Sequence, residues 1–215
     1  IEWRTPTRHA DSVENIGRRA LKSTAMIELA SLGGQHLPAI EAAFDHATTM
    51  TESLSALTAM SSVDSDAFDR ALNKFETRWN DHPLVMDKFY AVQAMSTRQD
   101  LRERLNKLKL RPDFDLKTPN RVRALAANFS MNNPTGFHAS DGWGYEFLGD
   151  IILEVDPLNP ALSARLATAF ESWRKLSVER RDNAKKQLER LLESDLSRNA
   201  LDIVERALAE PAENG

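Results

Sequence analysis

The sequence predicts an all-α fold, and three observations carry that expectation. Apolar residues recur three and four positions apart along nearly the whole chain, the period of a helix with one buried face. The 215 residues include only eight Gly and nine Pro. That supply of turn formers suits long helices on short links and is too small for a many-stranded β fold. No segment shows the strict alternation of a half-buried strand.

The elements follow in order. Ile16, Ala20 and Ile27 mark a long first helix that stops near Gly33-Gly34. Ile40, Ala43, Phe44 and Ala47 mark a second helix, and Leu54 and Leu57 a third. Phe68, Leu72, Phe75 and Trp79 form a stripe along a fourth. Val85, Phe89 and Val92 follow, then Leu101, Leu105 and Leu108. In the second half Val122, Leu125 and Phe129 line one helix, and Phe147, Leu148, Ile151, Ile152 and Val155 line another. Leu162, Leu166, Ala169 and Trp173 line a third, Ala184, Leu188, Leu191 and Leu192 a fourth, and Leu201, Val204 and Leu208 the last. Helix starts are expected at Thr118-Pro119 and Asn159-Pro160, where a capping side chain precedes a proline with no N–H to waste. Thr97 with Asp100 resembles a capping box. Residues Ser130 to Gly144 read as an ordered loop, and Glu210 to Gly215 as a tail that frays. About eleven helices exceed a simple bundle. We therefore expect helix pairs stacked in a curved α-α superhelix of the armadillo or HEAT kind, one domain over residues 1–209.

Net charge is −4 and the pI is about 5.8, which argues against nucleic acid as a partner, since phosphate binding needs a basic face. Cysteine is absent, so there is no disulfide and no thiolate chemistry. No apolar run approaches the roughly 20 residues that span a bilayer, and no signal-peptide pattern opens the chain. A cytoplasmic protein without a membrane partner is expected. The first methionine is Met26, from which we expect a longer parent.

Catalytic motifs are missing. His9, His36, His46, His82 and His138 include no His-Glu-x-x-His pair that would set two imidazoles on one helix face for zinc. There is no nucleophile elbow and no phosphate-cradling glycine loop. We therefore expect no catalytic residue, no metal site and no cofactor in this chain. Glu146, Asp150 and Glu154 share a face and read as solvated. The basic stretch Arg98, Arg102, Arg104, Lys107, Lys109 and Arg111 is diluted by Asp100, Glu103 and Asp113. Two patches stand out: Asn120-Arg121-Val122-Arg123 after a helix start, and Asn133-Pro134 through Phe137-His138 to Asp141-Gly142-x-Gly144-Tyr145. The second is either a loop held in a functional shape or a tight corner joining two helices.

These patches carry a family resemblance. Pro119-Asn120-Arg121-Val122-Arg123 and Asn133-Pro134-x-x-Phe137-His138-x-x-Asp141-Gly142-x-Gly144-Tyr145-x-Phe147-Leu148 resemble the C-terminal domain of proteobacterial aminopeptidase N. So do Leu84-Val85-Met86-Asp87-Lys88 after Trp79, and Met50-Thr51-x-Ser53-Leu54-x-Ala56-Leu57. Order and spacing agree from about Arg18 to the end of the last helix. The resemblance implies a four-domain zinc metallopeptidase as parent, with its zinc motif and substrate-amine motif upstream of this chain. The helical domain would cap the catalytic domain of the same polypeptide and shape the entry of peptide substrates. Two family arginines facing the cavity match Arg123 and Arg165. Judged by position alone, both are surface arginines beside an apolar stripe. The competing expectation is a free-standing helical scaffold that binds a protein on its concave face.

Overall fold

The computed structural model describes residues 13–209. His9 and the tail from Glu210 to Gly215 lie outside the described residues. The described residues are helical throughout their ordered elements and contain no strand. The chain divides into two compact units, residues 1–101 and 102–215.

The first unit contains α1 (Val13–Ser31), α2 (Leu37–Asp45), α3 (Met50–Met60), α4 (Asp66–Trp79) and α5 (Pro83–Ala94). Helix α3 packs on all four others, so its Ala56, Leu57, Ala59 and Met60 are wholly buried. Phe68, Leu72 and Phe75 of the expected α4 stripe are buried as well. On α1 the expected stripe is corrected. Ile16 and Ile27 are exposed, and the buried face is Lys22, Met26 and Ala30. A polar residue sits inside because it has a partner: Lys22 Nζ lies 3.3 Å from Glu52 Oε1. Glu52 also closes a capping box at the start of α3. Its N–H donates to Thr49 Oγ1 at 3.2 Å, and its carboxylate accepts from Thr48 N and Thr48 Oγ1, each at 3.1 Å. A buried charge held by a cation and several donors is the form in which burial is tolerated.

Helix α6 (Leu101–Lys109) follows directly after the Thr97–Asp100 segment. Asp100 accepts from Arg98 Nε at 3.1 Å. Arg98 donates through Nη1 to the carbonyls of Val63 and Ser65 at 2.9 and 2.6 Å. The first residue of the basic stretch is thus a clasp that ties the α3–α4 connection to the segment after α5.

The second unit continues from α6 through α7 (Pro119–Val122), a π-turn over Arg123–Ala127, α8 (Asn128–Asn132) and α9 (Pro134–Phe137). It ends with α10 (Trp143–Val155), α11 (Pro160–Ala167), α12 (Val178–Leu192) and α13 (Arg198–Leu208). Helix α10 packs on α11 and α12, and both of those pack on α13. All five expected α10 core residues are buried, at 7% exposure or less. Asn159 caps α11 as expected, its Oδ1 accepting from Leu162 N at 3.0 Å. Thr118 does not cap: its side chain makes no capping hydrogen bond. The expected helix through Trp173 also stops short. Helix α11 ends at Ala167 and two 3₁₀ turns follow, because Trp173 turns to pair its Nε1–H with Ala207 O at 2.9 Å. Arg174 donates to the carbonyls of Ala207 and Leu208 beside it, satisfying the orphan end of α13. Leu192, counted in the α12 stripe, is 40% exposed.

Candidate functional site

The segment Pro119–Asn132 is one helical rod with a π-turn inside it, and it carries the first expected site residue. Val122, Leu125 and Phe129 are fully buried beneath it. Arg121 and Arg123 stand two residues apart and go to different places. Arg121 is 5% exposed and donates through Nη1 to Asp113 O at 2.6 Å and to Asp113 Oδ2 at 3.0 Å. Arg123 opens the π-turn, is exposed, and among the described residues its guanidinium donates to the neutral Asn120 Oδ1 at 3.2 Å. Arg165 lies exposed on α11, between buried Leu162 and Leu166. Neither Arg123 nor Arg165 has an ion-pair partner among the described residues. Four cations of the basic stretch are neutralised: Arg102 by Asp141, Lys107 by Glu103, Lys109 by Glu154 and Arg111 by Asp113. The basic stretch is thus largely paired, partly by carboxylates outside it, and on the acidic α10 face Asp150 pairs with Arg190 at 2.6 Å and Glu154 with Lys109 at 2.7 Å.

The glycine-rich patch is a corner, and it holds a helical turn where a loop is expected. Asn133 Oδ1 accepts from Gly136 N at 3.0 Å and so caps α9. Gly142 has φ 79°, and a Cβ there would meet Asn183 Cβ at 2.9 Å. A Cβ on Gly144 would stand 2.4 Å from Phe137 O. Both glycines are required by left-handed backbone or close approach. Two residues of α12 clamp the corner: Arg180 Nε donates to His138 O at 2.6 Å, and Asn183 Nδ2 to Ser140 O at 2.9 Å. Inside it His138 Nδ1 and Tyr145 Oη are 2.9 Å apart. Burial pushes the Tyr145 phenol up to about 12, and burial, with the Arg180 charge second, lowers the His138 imidazole below its ordinary value. The aromatic rings of Phe129, Phe137, Trp143, Phe147 and Phe170 pack around them with centroids 5.0–5.8 Å apart. The motif therefore builds a rigid joint between α8 and α10. Sequence reasoning missed Arg180 and Asn183, whose partners lie about 40 residues away; only the folded chain brings them together.

The four described histidines do not converge. His36 is beside Gln35, His46 Nδ1 is 2.7 Å from Ala42 O, His82 meets the Trp79 ring, and His138 is in the corner. Among the described residues no group of three or more His, Cys, Asp or Glu is placed to hold a metal, and no helix is long and apolar enough to cross a membrane.

Helices that pack on one another in succession, with no strand among the described residues, define a class: a helical-array module of the armadillo type. The chain belongs to the family described as an ARM-repeat domain of unknown function (DUF3458_C), whose model matches residues 2–209. It is 38% identical over 194 residues to aminopeptidase N of Caulobacter vibrioides, covering 89% of this chain and 22% of that protein. It is 30% identical to aminopeptidase N of Escherichia coli over 200 residues, 91% of this chain and 23% of that one. In structure it is similar to Legionella pneumophila aminopeptidase A in complex with aspartic acid. The TM-score there is 0.84 at 29% identity, over 91% of this chain and 23% of the other. The chain thus spans under a quarter of the length of the curated relatives it matches. It is homologous to the C-terminal domain of aminopeptidase N.

Proposed function

We propose that this domain serves a cytoplasmic zinc aminopeptidase as a non-catalytic cap, covering the catalytic domain of the same polypeptide and selecting the peptides that reach it. The observation that carries this reading is the match to aminopeptidases across about nine-tenths of the chain, joined to two exposed arginines without ion-pair partners among the described residues. Zinc would be held by residues of the catalytic domain, and no step of the chemistry is assigned to the residues here.

The role of Arg123 and Arg165 follows from how an aminopeptidase orients its substrate. The peptide amine lies at the catalytic centre, so the C-terminal carboxylate projects away by a distance set by peptide length. A guanidinium offers a rigid fork of donors that matches a carboxylate. A charge-assisted hydrogen bond contributes roughly 1.5–3 kcal/mol, on the order of tenfold to a hundredfold in affinity. Arg123→Ala or Arg165→Ala in the whole enzyme is expected to weaken free-acid peptides of one length most, and their C-terminal amides little. The measurement is kcat/KM for di- to pentapeptides, acid against amide. Equal losses for acid and amide at every length would leave these arginines an interface role only.

A further inference from the structure

We propose that Asn128 is a positioning residue for Arg123: it closes the π-turn that sets where the guanidinium stands. The inference rests on the carboxylate reading of Arg123 above. Arg123–Ala127 is the one π segment among the described residues. Such turns are rare because their wider spacing strains the hydrogen-bond ladder, and they recur at functional positions. Here the ladder is completed by a side chain. The main-chain N–H of Asn128 reaches Arg123 O. Its Nδ2 donates to Ala124 O at 3.1 Å and, more weakly, to Arg123 O at 3.4 Å. Asn132 Nδ2 donates to Asn128 Oδ1 at 3.0 Å and fixes which way that amide points. At the other end Asn120 Oδ1 accepts from Arg123 Nη1 at 3.2 Å. The arginine is held by its carbonyl and by its guanidinium.

The geometry makes this hold consequential. Val122, Leu125, Ala126 and Phe129 are fully buried under the turn, so the rod cannot rotate as a whole. Converting the π-turn to α would remove one residue of register, turning Arg123 by about 100° relative to Phe129. Ala124 is four residues before Asn128, so the side-chain bond opposes that conversion at the bulge itself.

The test uses the full-length aminopeptidase that contains this domain and reads the ratio of kcat/KM for a free-acid peptide to that for its amide, at the most discriminated length. Asn128→Ala should lower that ratio about three- to tenfold, the worth of one lost hydrogen bond to the turn. Asn128→Ser should restore it, because a serine hydroxyl donates to the carbonyl four residues back, as Ser130 Oγ does to Ala126 O at 2.9 Å. Adding Asn128→Ala to Arg123→Ala should lower the ratio no further. Should Asn128→Ala not fold, Asn132→Ala, at an exposed position, releases the same amide and should shift the ratio in the same direction. An unchanged ratio in Asn128→Ala, or a loss that adds to that of Arg123→Ala, overturns the positioning role while leaving Arg123 intact. An unchanged ratio in Arg123→Ala overturns the carboxylate reading and this inference with it.

Discussion

His138 shows how burial, helped by a neighbouring charge, sets a pH dependence. Its imidazole is held below the ordinary value of 6.5, first by burial and then by the Arg180 charge. Below that value the unfolded chain binds a proton that the folded chain resists, so stability rises with pH through this window and falls on acidification. From about one pH unit above 6.5 both states are neutral and the contribution is constant. The expected result is a melting temperature that drops between about pH 7 and pH 5, with a shallower drop in His138→Asn. Parallel thermal melts of the two proteins check it; identical pH slopes would show that His138 takes a proton as readily folded as unfolded. Tyr145, pushed up to about 12, stays neutral throughout and does not confuse the measurement.

Among the elements, two helix starts that look alike in sequence behave differently. Thr118-Pro119 and Asn159-Pro160 both offer a capping residue before proline. Only Asn159 accepts the third amide of its helix, Leu162 N, at 3.0 Å; Thr118 makes no such bond. Asn159→Ala should therefore destabilise the chain by about 1 kcal/mol, and Thr118→Ala by no more than a few tenths. Urea denaturation of the two variants decides it, and equal losses would show that Thr118 caps in solution. The element lesson extends to α1. Its spacing marks a helix correctly, yet the buried face is the one carrying Lys22, because α3 presents Glu52 to it. Periodicity reports that a helix exists; the face that packs is chosen by the neighbour.

At the scale of the whole molecule, the domain reading makes a claim about partners. Ile16, Leu21 and Leu32 are 46–70% exposed on and just after α1, and Leu84 is 73% exposed at the start of α5. Exposed large apolar side chains suit a surface that docks on another domain. On the proposed reading, the isolated chain is expected to retain no stoichiometric zinc after dialysis and to bind the separately produced remainder of the proposed parent aminopeptidase. Metal analysis and titration calorimetry measure the two. One tightly held zinc per chain would refute the non-catalytic reading, and absence of binding to an active remainder would remove the docking surface.

The all-α class was determined by the sequence alone, since helical spacing and scarce turn residues are local properties of the chain. The same holds for the core of α10, where an apolar run leaves only one solution, and for the family, whose motifs stand in order along the chain. The π-turn was not legible, because Val122, Leu125 and Phe129 fit an unbroken helix equally well. Nor was the division of labour between Arg121 and Arg123: which becomes a buried staple depends on Asp113 arriving beside it. The glycine corner lies between these cases. Its glycines and Asn133 announced a shaped segment, but Arg180 and Asn183, which clamp it from α12, are set there only by tertiary packing. Sequence spacing fixes what a residue's own helix does, whereas the partner that gives a charge its meaning comes from another helix.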